Sequence, residues 1–137
     1  MRRRARARAI QALYAWDLAG RLSGASLESF AERLWTDLAV SRDERDVAYR
    51  LINVVQAQIE DIDRGIAAAT RNWRLGRLGA IERAVLRLGS AELIRRETPP
   101  RVVIQEGVTL AERFGTLESA RFVNGVLDAI ARQLGSL

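Results

Sequence analysis

The side chains able to do chemistry in this chain are few in kind. There is no Cys, no His and no Lys. Without Cys there is no disulfide framework and no thiolate metal site, and without His the commonest metal ligand and general base is gone. The lack of Lys removes Schiff-base chemistry and the lysine of phosphate-binding loops. Ser, Thr, Tyr and carboxylates remain, and a serine without a basic partner is a poor nucleophile. Glu82 and Glu92 both project within the broad apolar face of one predicted helix, but ten residues of helix separate them by about 15 Å, too far to share a reaction centre. Each reads instead as the ion-pair or hydrogen-bond partner of an Arg at a helix interface. The residues thus predict a protein that is not an enzyme and that uses neither cofactor nor metal.

Arginine is where the chemistry concentrates. The chain opens MRRRARARAIQALYAW, with Arg2, Arg3, Arg4, Arg6 and Arg8 ahead of the first acid, Asp17. All 22 basic residues are Arg, against 17 acids, and those five account for the whole surplus of +5. The rest of the chain is charge-balanced, which points to a local polyanion contact rather than a cationic surface. On a helical wheel Arg2 and Arg6 lie close to the stripe of Ala9, Leu13 and Trp16, and a guanidinium cannot be buried there unpaired. The expectation is therefore an arm, residues 1–8, that projects into solvent, with a helix docking on the core from about residue 9. RNA is the favoured partner for such an arm. A solvated basic tail without a partner and an Arg-rich transit peptide are the rival readings, the second disfavoured because the segment runs straight into core-forming sequence.

The elements that would position these residues are helical throughout. At 137 residues, 48% apolar and 28% charged, the chain is long enough for one domain with a substantial core. Leu27, Phe30, Ala31, Leu34, Trp35 and Leu38 follow helical spacing. Ser41-Arg42-Asp43-Glu44 has capping-box spacing and should start a long helix striped by Val47, Leu51, Val54, Val55, Ile59 and Ile62. Leu78, Ile81, Val85 and Leu88 mark another helix. Thr98-Pro99-Pro100 breaks the chain, Pro100 can begin the next helix, and Gly115 can end it. Val123, Leu127, Ile130 and Leu134 stripe the last. Nothing alternates with period two. The prediction is an all-α fold of about six to seven helices in two packed three-helix bundles, a single body of residues 9–137 with subdomains of about 9–72 and 73–137. No apolar run approaches the roughly 18 residues of a membrane span, and no secretory h-region follows the arginines, so a cytoplasmic protein without a membrane partner is expected.

Two further features bear on binding. Gly76-Arg77-Leu78-Gly79 matches the GxxG loop of KH domains, but a KH fold needs strands, and a turn between helices explains it better. Phe122 sits on the flank of the last stripe beside Arg121. An aromatic beside an arginine at such an edge could stack on an unpaired base, though a peripheral core residue is the commoner outcome.

Taken in order, RARAIQALYAWDL, IERAVLRLGSAEL, the Pro-bounded VVIQEGVTLAERFG and FVNGVLD resemble the NusB family of bacterial transcription antitermination factors. The similarity runs over nearly the whole chain and is weakest across residues 20–45. The resemblance implies two three-helix bundles, binding to single-stranded boxA-type RNA of ribosomal RNA operons, NusE (a small-subunit ribosomal protein) as partner, and a place in an RNA polymerase antitermination complex. By match, RNA contacts fall on Arg2, Arg3, Arg4, Arg6, Arg8, Arg121 and Phe122, and NusE contacts on Tyr14 and Glu82. The chain departs from the family at Gln105, where Asn is usual, at Gly107, where Ala is expected, and in the joint RLGRLG, which lacks the usual acids. Two other classes fit less well: a NusB-like accessory module of a ribosomal RNA methyltransferase, for which no methyl-donor glycine motif is present, and a helical protein-interaction module without RNA binding. A homodimer that hides the RNA surface is also compatible with the pattern.

Overall fold

A computed structural model describes residues 2–20, 24, 26–71 and 78–136. Among these there are seven α-helices and no strand: α1 Arg2–Ala15, α2 Leu27–Asp37, α3 Arg42–Ala57, α4 Ile59–Ala69, α5 Ala80–Arg95, α6 Pro100–Phe114 and α7 Leu117–Gln133. α1 runs on into a π-helical turn, Trp16–Gly20.

Local chemistry sets the boundaries. The Ser26 hydroxyl accepts the Ser29 N–H at 3.1 Å to start α2. Ser41 does the same for Glu44 at the head of α3, but only this half of the expected capping box forms. The Glu44 carboxylate accepts instead from Arg8, at 3.0 Å. The reciprocal box lies at α7, between Thr116 and Ser119, where a Ser at the third helical position does the work usually given to Glu or Gln. Pro100 occupies the first position of α6 and Gly115 its C-cap, as expected.

The long helix expected from residue 42 to 62 is in fact two. The chain leaves helical geometry at Gln58, with φ −122°, and turns so that α4 packs on α5 and α7. By packing, the chain changes sides here. α1 lies against α2, α3 and α5, while α6 and α7 pair closely on the far side of α5.

α5 is the axle of this arrangement. Every residue from Ala84 to Leu93 is buried, because α5 has α1, α3, α4, α6 and α7 around it. Two glycines let its neighbours come close. A Cβ at Gly89 would stand 2.7 Å from Leu127 Cδ2, and one at Gly107 would stand 2.7 Å from Leu127 Cδ1. Leu127 fills the notch between them and is fully buried. Glycine at position 107 thus has a steric reason.

Candidate nucleic-acid interface

The arginine-rich opening is not a loose arm. α1 begins at Arg2, and Ala5, Ala7, Ala9 and Ala12 are buried beneath it, their small side chains allowing α1 to settle close to α3 and α5. The expectation that docking starts near residue 9 is corrected by one contact. Arg6, 5% exposed, meets Glu92, 6% exposed. Its Nε donates to both Glu92 oxygens, at 3.1 and 2.9 Å, and its Nη2 donates to one at 2.8 Å. Burial opposes the charge on Arg6, but the Glu92 hydrogen bonds and charge, with Glu106 behind them, outweigh it and raise its pKa above the ordinary value. A guanidinium held this way is not an unpaired one, which removes the objection to burying it.

The other arginines of the opening divide by partner. Arg8 donates to Glu44 and, at 3.2 Å, to Gln11, while its carbonyl accepts the buried Trp35 indole N–H at 3.2 Å. Arg6 and Arg8 therefore fix α1 to the body, with Arg6 Nε and Nη2 committed to Glu92. Arg2 donates to Thr98 at 3.3 Å, and Arg3, 74% exposed, donates to Glu106 at 3.2 Å. The first is a single long hydrogen bond to a hydroxyl, and in the second Arg3 stays open to solvent over a largely covered Glu106, so both arginines can exchange partners at modest cost. Arg4 is exposed and makes no hydrogen bond or ion pair with the described residues. Arg121, on α7, is likewise exposed. Phe122 is not on an open flank: the residue is 9% exposed and counts with the core.

The other end of α1 carries the expected partner residues. Tyr14 is 37% exposed. Glu82 is half-buried and accepts from the Ser119 hydroxyl at 3.1 Å; the expected arginine partner is replaced by a serine from α7. Sequence periodicity missed the network that joins these parts. Asp17 in the π-turn accepts from Arg83 at 2.6 Å and pairs with Arg87 at 3.4 Å. Arg87 in turn makes a two-pronged contact to Asp63 of α4, at 2.9 and 3.0 Å, under the Trp16 ring. Burial pushes the Asp17 carboxyl up, but the Arg83 hydrogen bond and the charges of Arg83 and Arg87 overcome this and hold it below the usual range. The Asp17–Arg83 bond brings the end of α1 to the start of α5, so Tyr14 and Glu82 share one end of the molecule. Twelve residues of helix place that end about 18 Å from Arg2. The GxxG string falls partly outside the described residues, as does most of the RLGRLG joint.

No group of acids able to hold a metal occurs among the described residues, and no helix of these residues is long and apolar enough to cross a membrane. The layout is that of a helical-bundle binding protein, cationic at the head of its first helix and balanced elsewhere. Comparison with known proteins makes the class specific. The chain belongs to the NusB family, whose model matches residues 3–132. It is 40% identical to the transcription antitermination protein NusB of Anaeromyxobacter dehalogenans over 97% of this chain and 92% of the relative, and 38% identical to that of Nitratiruptor sp. over 97% and 93%. Among solved structures it is similar to T. maritima NusB, with TM-score 0.83, 33% identity, and coverage of 97% of this chain and 92% of the other. It is also similar to a structure of antitermination factors NusB and NusE in complex with double-stranded RNA, with TM-score 0.82, 32% identity and 96% of each chain covered.

Proposed function

We propose that this protein is a non-enzymatic, cytoplasmic transcription antitermination factor that binds single-stranded boxA-type RNA of ribosomal RNA operons together with NusE, within an antiterminating RNA polymerase complex. The observation that carries this reading is the row Arg2, Arg3 and Arg4, exposed at the head of a docked helix in which the two other arginines, Arg6 and Arg8, are paired with Glu92 and Glu44. Their contacts are weak enough to be traded for phosphates, and the buried Arg6–Glu92 pair holds the helix that presents them. Arg121, exposed on α7, is a further RNA contact by the family resemblance. Arg8 supports it from below, and Tyr14 and Glu82 form the NusE side. Relatives that share at least 38% of residues are transcription antitermination proteins, and a structural neighbour is seen with NusE and RNA.

The test is a salt series of binding titrations with single-stranded boxA-type RNA. Each phosphate neutralised on a single strand adds about 0.7 to the salt slope, so replacing Arg2, Arg3 and Arg4 together by Ala should lower it by up to about 2 while helicity is kept. An unchanged slope would overturn the RNA assignment. Added NusE should tighten RNA binding by the parent chain, and no change on adding it would remove NusE from the proposal.

A further inference from the structure

On the α3 side of α1 a cleft of about 150 Å³ opens beside Arg2. Its floor is the Arg6–Glu92 pair, in which Arg6 Nε and Nη2 are engaged by the carboxylate. One wall is aliphatic, formed by the half-buried Val47 and Leu51. At the mouth stand three arginines, Arg2, Arg50 and Arg95, and one carboxylate, Glu97. Arg95 is steadied by Glu97, and Arg50 is exposed, with no hydrogen bond or ion pair to the described residues.

Size and lining together select a ligand. A cavity of roughly 150 Å³ holds one benzene-sized ring, which excludes a duplex or a stacked pair of bases. A bare anion would gain nothing from the aliphatic wall, and an apolar ligand nothing from three guanidinium groups. A nucleobase carrying a phosphate uses both, since its ring can lie on apolar side chains or an Arg plane while the phosphate meets charged donors. The mouth adjoins the first arginine of the RNA-facing row, so a strand held there passes the opening. We infer that the cleft receives one unstacked nucleotide of the bound RNA, its base against Val47 and Leu51 and its phosphate on Arg2 and Arg50. This rests on the RNA-binding reading above.

Two measurements on the full chain test it. In the first, AMP, UMP and inorganic phosphate are each titrated while the methyl NMR signals of Val47 and Leu51 are followed. Nucleotides should shift both residues and phosphate should not; equal responses would make the cleft an anion site only and overturn the inference, as would silence to all three. In the second, Val47→Phe fills the cleft without changing charge. It should weaken binding of single-stranded boxA-type RNA by roughly 5-fold or more, the low end of what losing one seated base costs, and leave the salt slope as it was. Unchanged RNA affinity in a folded Val47→Phe chain refutes the cleft while the RNA reading stands. Were that variant to fail to fold, the nucleotide titration decides alone. If the parent chain does not bind RNA, the functional reading falls, and methyl shifts with nucleotides would then assign the cleft to a free nucleotide instead.

Discussion

Replacing Glu92 by Ala should leave Arg6 as a buried charge without a partner, and the structure sets the size of the effect. Both side chains are about 5% exposed and three hydrogen bonds link them. Removing one member of such a pair costs about 3–5 kcal/mol, because the survivor loses its partner without regaining water. Unfolding entropy of about 2.1 cal/mol/K per residue then translates this into a fall in Tm of about 10–17 °C for a chain of this length. A cheaper escape exists, since Arg6 lies in the second turn of α1: residues 2–8 can unwind and return the guanidinium to solvent. In that case the melting temperature falls less, but amides near Ala9 and Ile10 exchange faster. Thermal melts with amide hydrogen exchange read both routes. The double variant Arg6→Met with Glu92→Leu should recover most of the loss, because two apolar side chains satisfy the same site. A Glu92→Ala protein with Tm within about 3 °C of the parent and unchanged exchange along α1 would show that the pair does not hold this helix.

Three further outcomes follow from the geometry. Phe122→Ala should cost about 3–5 kcal/mol in a denaturant titration, as for a buried ring, and leave RNA affinity of the folded chain unchanged; the reverse pattern would show the ring reaching RNA. Asp17→Asn should lower the melting temperature at pH 7. Because the folded carboxyl titrates below its unfolded value, its contribution is complete above about pH 4 and fades in acid, so parent and variant should converge there; a gap that persists in acid would reject the charge argument. Glu82→Lys should reduce capture of NusE in a pull-down while keeping boxA-type RNA binding, and equal capture would remove Glu82 from that surface.

Much of the fold was legible because its periodicity is strong. The stripes of α2, α5 and α7, the Ser41 start and the Pro100 start all follow from short-range chemistry. The break at Gln58 was not, since no Pro or Gly marks it and the apolar spacing continues across it; the turn answers to what α4 packs against. The same limit governs the site. Arg6 on an apolar stripe and Glu92 on another were each visible as misplaced charges. They lie 86 residues apart, and nothing local says that one answers the other. Joining the two anomalies would have buried Arg6 and docked the arm. Phe122, a flank position on the helical wheel, is largely covered once α7 packs against its neighbours. The cleft at Val47, Arg50 and Arg95 left no trace in any single helix, because three elements build it.

Leu127 and the two glycines it touches carry a consequence for how this sequence can change. Enlarging either glycine by one methyl drives an atom to 2.7 Å from a leucine that is fully enclosed, so neither substitution has room while Leu127 stands. Shortening Leu127 first opens a void that costs stability by itself, yet it is the step that makes the glycine changes admissible. The order of mutations therefore matters at this three-way junction. A library that varies Gly89, Gly107 and Leu127 together should return folded solutions that one-at-a-time scanning scores as dead ends, and their combined volume, more than any individual residue, should be the quantity that selection holds fixed.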